Sequence, residues 1–338
     1  MVATIKDIAK RAGVSTATVS RVINDIGGYG TETRDRVLQA AKDLGYYKNE
    51  TATSLVTNKT KTIGIIIPNV STNFYGNIVN GIEDVAYEHG YSVILTHAGI
   101  EGNRLGDSLK LMANRRVDGV IIVSIYLGKK QQELITWLNL PTILLSTQAE
   151  GDTLPYIKVD DYQAIYQATQ YMIEHHHPTI GLVGINDTDK IAGLPRLKGY
   201  LDCLKQHNRP IDRDYIVLGD FSFDAGVAAM QQFLKQKKIP SAIVCASDET
   251  AMGVKSVAYE NGLTIPDDLS IIGYDDTSIA WMSSPPLTTI GQPLYEMGAK
   301  GCERVIKAIA DNCEMVSEIV PFKLMVRKTV KTLNDKPC

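Results

Sequence analysis

Over the first 45 residues apolar positions recur at helical spacing, and from Thr62 onward they gather into short runs separated by amphipathic stretches. Ile5, Ile8, Ala9 and Ala12 fall on one face of a first helix. Thr4 caps that helix, and Asp7, three residues later, answers the free backbone N–H groups of its first turn. Gly13 supplies the permissive backbone for a sharp turn, Val14 is the buried elbow, and Ser15 caps a second helix from Thr16 to Asn24 that turns Val19, Val22 and Ile23 inward. A third helix runs from about Thr31 to Leu44, where Val37, Leu38, Ala41 and Leu44 close a small core and Gly45 ends it. Asn49 then caps a short helix through Val56. Its apolar residues Ala52, Leu55 and Val56 are too few to bury it alone, so it forms only against a partner.

Beyond Thr62 the strand-like runs read TIGIIIP, SVILT, GVIIV and TILLS, then TIGLVG, YIVL, AIVCA and SIIGY, two groups of four. Helices are expected over Phe74–His89, Gly106–Arg115, Leu197–His207, Asp224–Lys235, Thr250–Asn261 and Tyr295–Ala310. Strands that alternate with helices imply parallel sheets covered on both faces. The expected fold class is therefore α/β: an all-α helix-turn-helix head followed by a short conditional helix, then a two-lobed core of doubly wound parallel sheets with a cleft between the lobes.

The chain has 338 residues, more than one ordinary core holds, which agrees with a head and two lobes. Residues 1–61 carry ten Lys and Arg against six Asp and Glu, while the remainder carries 25 against 32. Positive charge is thus concentrated on the head, where phosphates would be met. The outward face of the second helix carries Thr16, Ala17, Ser20 and Arg21. In a helix-turn-helix the opening residues point at base edges, an arginine one turn on reaches guanine O6 and N7, and a small alanine lets a thymine methyl approach. Thr4, Ser15, Thr18 and Asn24 complete the set expected to face DNA. No apolar run reaches membrane-spanning length, and Lys6, Asp7, Lys10 and Arg11 interrupt any signal-peptide core, so a cytoplasmic protein without membrane contact is expected. The cysteines, 203, 245, 302, 313 and 338, are odd in number and scattered, which argues for reduced thiols.

Ligands of open α/β sheets bind beyond the carboxyl ends of the strands. That places Asn73, Phe74, Ser124 and Ser146 of the first lobe, and Arg196, Phe221, Ser247, Asp248 and Asp275 of the second, around one cleft. Carboxylates accept vicinal hydroxyls, an arginine donates to ring and hydroxyl oxygens, and an aromatic face packs on the C–H side of a pyranose, so this inventory suits a sugar. His175, His176 and His177 are adjacent, whereas chelation on a helix needs a spacing of three or four. The neighbours Asp160/Asp161 and Asp275/Asp276 point apart, which disfavours a shared proton. No nucleotide, phosphate-loop, zinc-protease or serine-hydrolase motif is present, so neither metal, cofactor nor catalysis is expected.

The head, the segment NETATSL and the long α/β remainder together resemble the LacI/GalR family of bacterial transcription regulators over essentially the whole chain. The resemblance implies a helix-turn-helix domain at 1–48, a hinge helix and linker at 49–61, a periplasmic-binding-protein-like core at 62–330 and a short tail at 331–338. It also implies that the lobes are discontinuous, with lobe 1 at about 62–159 and 290–321 and lobe 2 at about 160–289 and 322–330. Asn49, Ala52 and Leu55 would form the hinge contact with DNA, Leu55 wedging into the minor groove. Lys48 stands where the family has proline, Thr53 where it has arginine or glutamine, and Gly30 where it has a serine cap. The R-x-x-G pattern carries the sugar-hydroxyl arginine onto Arg196, GYDD carries a carboxylate ligand onto Asp275, and DFSFDAG carries a stacking aromatic onto Phe221. SDETAMG places Ser247 and Asp248 where the family has asparagine followed by aspartate.

The implied function is a homodimeric repressor of a carbohydrate operon, controlled by a sugar or sugar phosphate and bound to a near-palindromic double-stranded DNA operator. After the strand-like segment Phe322–Val330 only the short stretch ending in LNDKPC follows, with no heptad tail for higher assembly. A second reading adds a phosphorylated carrier protein as corepressor, because PLYEMGAKGCERVIKA resembles the docking helix of the catabolite-control branch. Glu303 stands where that branch has arginine, and a carboxylate repels phosphoserine.

Overall fold

In the computed structural model, which describes residues 3–46, 59–70, 72–99 and 102–333, the head is three helices: α1 (Ile5–Ala12), α2 (Thr16–Ile23) and α3 (Thr31–Asp43). The expected hinge residues Asn49, Ala52 and Leu55 lie outside the described residues. Ile8, Val19 and Val37 are fully buried and pack with Ala9, Ala12, Val22, Ala40 and Ala41. Leu38 is 41 % exposed, not a core residue as expected. The inward stripe of α3 runs through positions 37, 40, 41 and 44, and Leu38 sits about 100° away from its axis. Residues 1–60 and 61–338 form two separate units.

The second unit contains two six-stranded sheets. The first orders its strands β11-β5-β4-β3-β1-β2, with β1 (Thr62–Ile67), β2 (Ser92–His97), β3 (Gly119–Val123), β4 (Thr142–Leu145), β5 (Tyr156–Lys158) and β11 (Glu318–Ile319), all parallel. The second orders them β12-β10-β9-β8-β6-β7, with β6 (Ile180–Ile185), β7 (Ile216–Leu218), β8 (Ala242–Cys245), β9 (Ser270–Asp275), β10 (Thr288–Gly291) and β12 (Lys323–Met325). Only β10 and β12 pair antiparallel among these strands. Strand β12 falls within the expected strand-like segment Phe322–Val330, while β5, β10 and β11 were not expected; β5 and β11 are three residues or shorter, below the length at which alternation can be read. Strand order reverses at β1/β3 and at β6/β8, and the loops after these strands open the crevice where α/β sheets take ligands.

Helices cover both faces of each sheet. On the first they are α4 (Asn73–Glu88), α5 (Leu105–Arg115), α6 (Lys129–Leu138) and α12 (Leu294–Asp311); on the second, α7 (Asp161–Glu174), α8 (Gly193–Gln206), α9 (Phe223–Gln236) and α10 (Asp248–Glu260), with the short α11 (Ser278–Met282) beside α10. Thus the chain leaves the first sheet after β5, returns with α12 and β11, and crosses once more to β12. The sequence pattern sets no bounds for α6 or α7, although the histidines before Pro178 read as a helix end, which is where α7 stops. Cys203, Cys245 and Cys302 are buried free thiols. No helix among the described residues is long and apolar enough to cross a membrane.

Backbone contact sets the position of α12 on α4. A Cβ built on Gly81 would lie 2.1 Å from the Tyr295 carbonyl oxygen, and one on Gly298 would lie 2.1 Å from that of Ile78. Both helices must present a bare Cα for their axes to approach so closely. Gly298→Ala is expected to lower stability by about 1–3 kcal/mol in urea unfolding. Gly76→Ala, on the same pair of helices but facing open space, should leave stability unchanged or raise it; equal behaviour of the two variants would contradict close packing at this crossing.

Candidate functional site

In the head, the turn and cap chemistry works as the sequence suggests. Gly13 adopts a left-handed φ of 65°, and the Ser15 side chain accepts the Thr18 amide at 3.1 Å, so α2 begins immediately after the turn. Thr16, Ala17 and Arg21 are exposed along one face, with Thr18 and Ser20 half-buried beneath them. Asn24 caps the C-terminus of α2 and gives its amide to the Ser20 carbonyl at 2.9 Å. Thr4 is exposed at the start of α1, its N–H and hydroxyl both donating to Asp7 Oδ2 at 2.9 and 2.7 Å.

In the core, residues at the strand ends share an uncommon backbone. Ser124 (φ 51°), Ser146 (52°), Phe221 (66°) and Asp275 (110°) all lie in the left-handed region that L side chains rarely adopt. They stand at or just beyond the carboxyl ends of β3, β4, β7 and β9, the ends where the sequence placed a ligand. Conformations of this kind cost of order 1–3 kcal/mol each and persist where the surroundings impose them, commonly at binding sites. The Ser146 hydroxyl is buried without a hydrogen-bond partner, a group oriented for something other than protein.

Between these ends lies a buried charge network. Arg196 enters from α8 and donates Nε and Nη2 to one oxygen of Asp161 at 2.9 and 2.8 Å and Nη1 to the Ala246 carbonyl at 2.7 Å. Its guanidinium lies 3.7 Å from the centre of the Tyr274 ring and 5.4 Å from that of Phe221. Tyr274 donates its hydroxyl to the same Asp161 oxygen at 3.0 Å, and Lys158 reaches the other oxygen at 3.1 Å. Burial by itself would raise the Asp161 carboxyl, but the Arg196 and Lys158 charges hold it below its ordinary value. Asp160, its neighbour, turns the other way to cap α7 on the Gln163 amide at 3.0 Å.

Asp275 is buried and accepts the Gln292 amide at 2.7 Å. Burial pushes its carboxyl well above the ordinary range; Arg196 opposes this, and the Asp248 and Glu249 charges reinforce it. Ser247 and Asp248 are saturated by protein contacts. Ser247 caps α10 on the Thr250 amide at 2.9 Å and gives its hydroxyl to the Phe221 carbonyl at 2.6 Å. Asp248 follows the cap and turns inward, accepting the Thr277 amide (2.7 Å), the Thr277 hydroxyl (3.0 Å) and the Thr289 hydroxyl (2.6 Å).

The first lobe meets these groups across the cleft. The Asn73 amide, at the N-terminus of α4, donates to Glu249 Oε1 at 3.3 Å, so a carboxylate of one lobe faces the positive helix end of the other. Phe74 stands edge-on to Tyr75 at 5.2 Å. Tyr75 bonds Ser124, and its phenol is pushed up by burial and then by the Asp275 and Glu249 charges. At the rim, Lys190 lies 5.7 Å from the Tyr126 ring centre.

Tyr75, Lys158, Glu249, Tyr274 and Gln292 were not singled out from sequence, and Asp161 was weighed only as a shared-proton neighbour of Asp160. Tyr274 is the one a signal could have found, as the aromatic of GYDD beside an expected ligand. Elsewhere, His175 caps α7 with its ring on the Tyr171 carbonyl, His177 is buried against the Lys331 carbonyl at 3.1 Å, and no group of His, Cys, Asp or Glu among the described residues could hold a metal ion. On α12, Glu303 is exposed and Arg304 is engaged by Glu318 and by the Val316 carbonyl.

Residues 4–49 match the model of the lacI family of bacterial regulatory proteins, and residues 60–328 match that of periplasmic binding proteins and the sugar-binding domain of the LacI family. The chain belongs to the LacI family. It is accordingly a DNA-binding transcriptional regulator with a helix-turn-helix head and a sugar-binding-type core. This LacI-family chain is 36 % identical over 309 residues to the transcriptional regulator RegA of Clostridium saccharobutylicum, covering 91 % of its own length and 93 % of RegA. A solved complex of the regulator CelR with cellobiose is similar at 30 % identity and a TM-score of 0.72, with 97 % and 99 % of the two chains covered. The lac repressor dimer bound to operator and the anti-inducer ONPF is similar at 26 % identity and a TM-score of 0.87, covering 98 % and 100 %.

Asp248 carries a signed pH dependence. Burial pushes its carboxyl from 3.8 up to about 7, so between those values the folded chain holds a proton that the unfolded chain has released, and stability falls as pH rises through that window. An amide at this position can accept from Thr277 and donate to Thr289. Asp248→Asn is therefore expected to fold and to show a flatter stability profile between about pH 4 and 7 in thermal melts; an unchanged slope would mean that Asp248 titrates normally.

Proposed function

We propose that this regulator is a homodimeric repressor of carbohydrate-utilisation genes, switched by a sugar bound between the two lobes of its core. The observation that carries the reading is that strand ends of both lobes hold left-handed residues, Ser146 among them with an unpartnered buried hydroxyl, while the lobes meet through Asn73 and Glu249. Asp275 and Arg196 would hold ring or hydroxyl oxygens, Phe221 and Phe74 would pack on C–H faces, and Ser124, Ser146 and Asn73 would complete the contacts from the first lobe. Ser247 and Asp248 serve this site by fixing the loops after β7 and β9, since their oxygens are already engaged. It acts by binding and not by catalysis, on DNA in the bacterial cytoplasm.

In the head, Thr16, Ala17 and Arg21 would read base edges, while Thr4, Ser15, Thr18, Ser20 and Asn24 would position the module on the backbone. Asn49, Ala52 and Leu55 would form the hinge contact implied by the family resemblance. The exposed faces of α4 and α12 would form part of the dimer interface, and two heads related by a dyad call for a near-palindromic operator. Effector and operator binding are coupled only if the two core conformations differ in affinity for the sugar, with typical coupling of about 1–3 kcal/mol.

The test is operator titration by fluorescence anisotropy with matched and base-substituted duplexes. Arg21→Ala should lose about 1–3 kcal/mol of discrimination at one base pair in each half-site. Asp275→Ala should bind operator as the parent does but no longer respond to the sugar. A full sugar response in Asp275→Ala would remove the cleft from the mechanism.

A further inference from the structure

We infer that the cleft selects an uncharged polyhydroxylated ligand, a free sugar or glycoside, and rejects the phosphorylated form of the same sugar. The inference deepens the sugar reading of the crevice and rests on it. Its basis is how the buried cations are committed. Arg196 uses three of its five N–H donors within the protein, two on Asp161 and one on the Ala246 carbonyl, with Tyr274 against its face, so its charge is compensated while two N–H groups remain for hydroxyl oxygens. Lys158 spends its ammonium on the other Asp161 oxygen and on the Ile191 carbonyl at 3.3 Å. Arg196 and Lys158 therefore share one carboxylate, and Asp275, Asp248 and Glu249 stand as three further acids within electrostatic reach of one another.

A phosphate monoester brings between one and two negative charges and needs cationic charge that is not already compensated. Here four acids, Asp161, Asp248, Glu249 and Asp275, face the two cations, and burial together with repulsion from Asp248 and Glu249 raises the Asp275 carboxyl well above its ordinary range. An arriving dianion would add to that repulsion in a poorly screened crevice. Lys190 at the rim is exposed, where water and salt weaken its pull. Hydroxyl groups meet the opposite situation. The partnerless Ser146 hydroxyl, the Tyr75–Ser124 pair and the Asp275 carboxyl can each exchange hydrogen bonds with the hydroxyls of a polyol, which bring no charge of their own. Asp161 is then the specificity-determining residue. It touches no ligand and acts by consuming the charge of Arg196.

The experiment uses the full-length protein, calorimetric titration and thermal shift at constant ionic strength. The probes are matched pairs, glucose with glucose 6-phosphate and trehalose with trehalose 6-phosphate, together with cellobiose and inorganic phosphate. At least one uncharged sugar should bind, its phosphate about tenfold or more weaker, and inorganic phosphate not at all. Asp161→Asn, which releases Arg196 and Lys158, should gain at least about tenfold in affinity for inorganic phosphate. Glu249→Gln, which removes a half-buried charge outside the Arg196 network, should narrow the gap between a sugar and its phosphate even if Asp161→Asn does not fold. A phosphorylated sugar that binds as tightly as its parent overturns the charge selection and leaves the sugar reading standing. Binding of no carbohydrate of either kind overturns both. A folded Asp161→Asn protein with unchanged phosphate affinity overturns the role given to Asp161.

Discussion

A cation buried at the end of a parallel sheet has to be neutralised, and the pairing of Arg196 with Asp161 is the contact around which this core is arranged. The two are joined through α8 and α7, stacked on Tyr274 of β9 and tied by Lys158 to β5 of the opposite sheet. Removing one partner of such a set typically costs about 3–5 kcal/mol, because it strands an uncompensated charge, whereas the complete set adds little net stability. What the network supplies is position. It fixes the guanidinium between two aromatic rings at the point where β6, β8 and β9 deliver their C-terminal loops, and it does so at the first crossover between the sheets.

Around that fixed point the core combines rigid and strained parts. Glycine faces let α4 and α12 touch backbone to backbone, and Gly226 and Gly253 do the same for α9 and α10. Those contacts hold the sheets' outer layers in place. The inner strand ends are the reverse: serines, a phenylalanine and an aspartate occupy backbone conformations they disfavour, so the scaffold sustains local strain where the side chains must converge. The Asn73–Glu249 contact then joins the two lobes directly across the crevice. Anything bound there meets groups from both lobes, the physical condition for a ligand to change the relation between them.

Much of this was legible in the sequence, and the rest was hidden for identifiable reasons. The turn at Gly13, the Ser15 cap and the exposed Thr16, Ala17 and Arg21 follow from local chemistry alone, because a helix-turn-helix is encoded within two dozen residues. Strand ends are also local, so Ser124, Ser146, Phe221 and Asp275 could be named in advance. Asp161 could not, since an acid beside the capping Asp160 reads as solvated and its partner lies 35 residues away. Nor could the turning-in of Asp248, whose partners Thr277 and Thr289 arrive from two other elements. Leu38 shows the limit at short range: its spacing from Val37 fits no single stripe, and only the packed helix decides which of the two goes inward.

The central claim is that the crevice and the reading head are energetically linked, and reciprocity tests it most directly. Calorimetry would give the affinity of the identified sugar for the dimer alone and for the dimer on its operator, and anisotropy would give operator affinity with and without saturating sugar. The account predicts that the two ratios are equal and lie between about 5 and 150, the range of ordinary allosteric coupling. Sugar affinity indifferent to the presence of operator would contradict it.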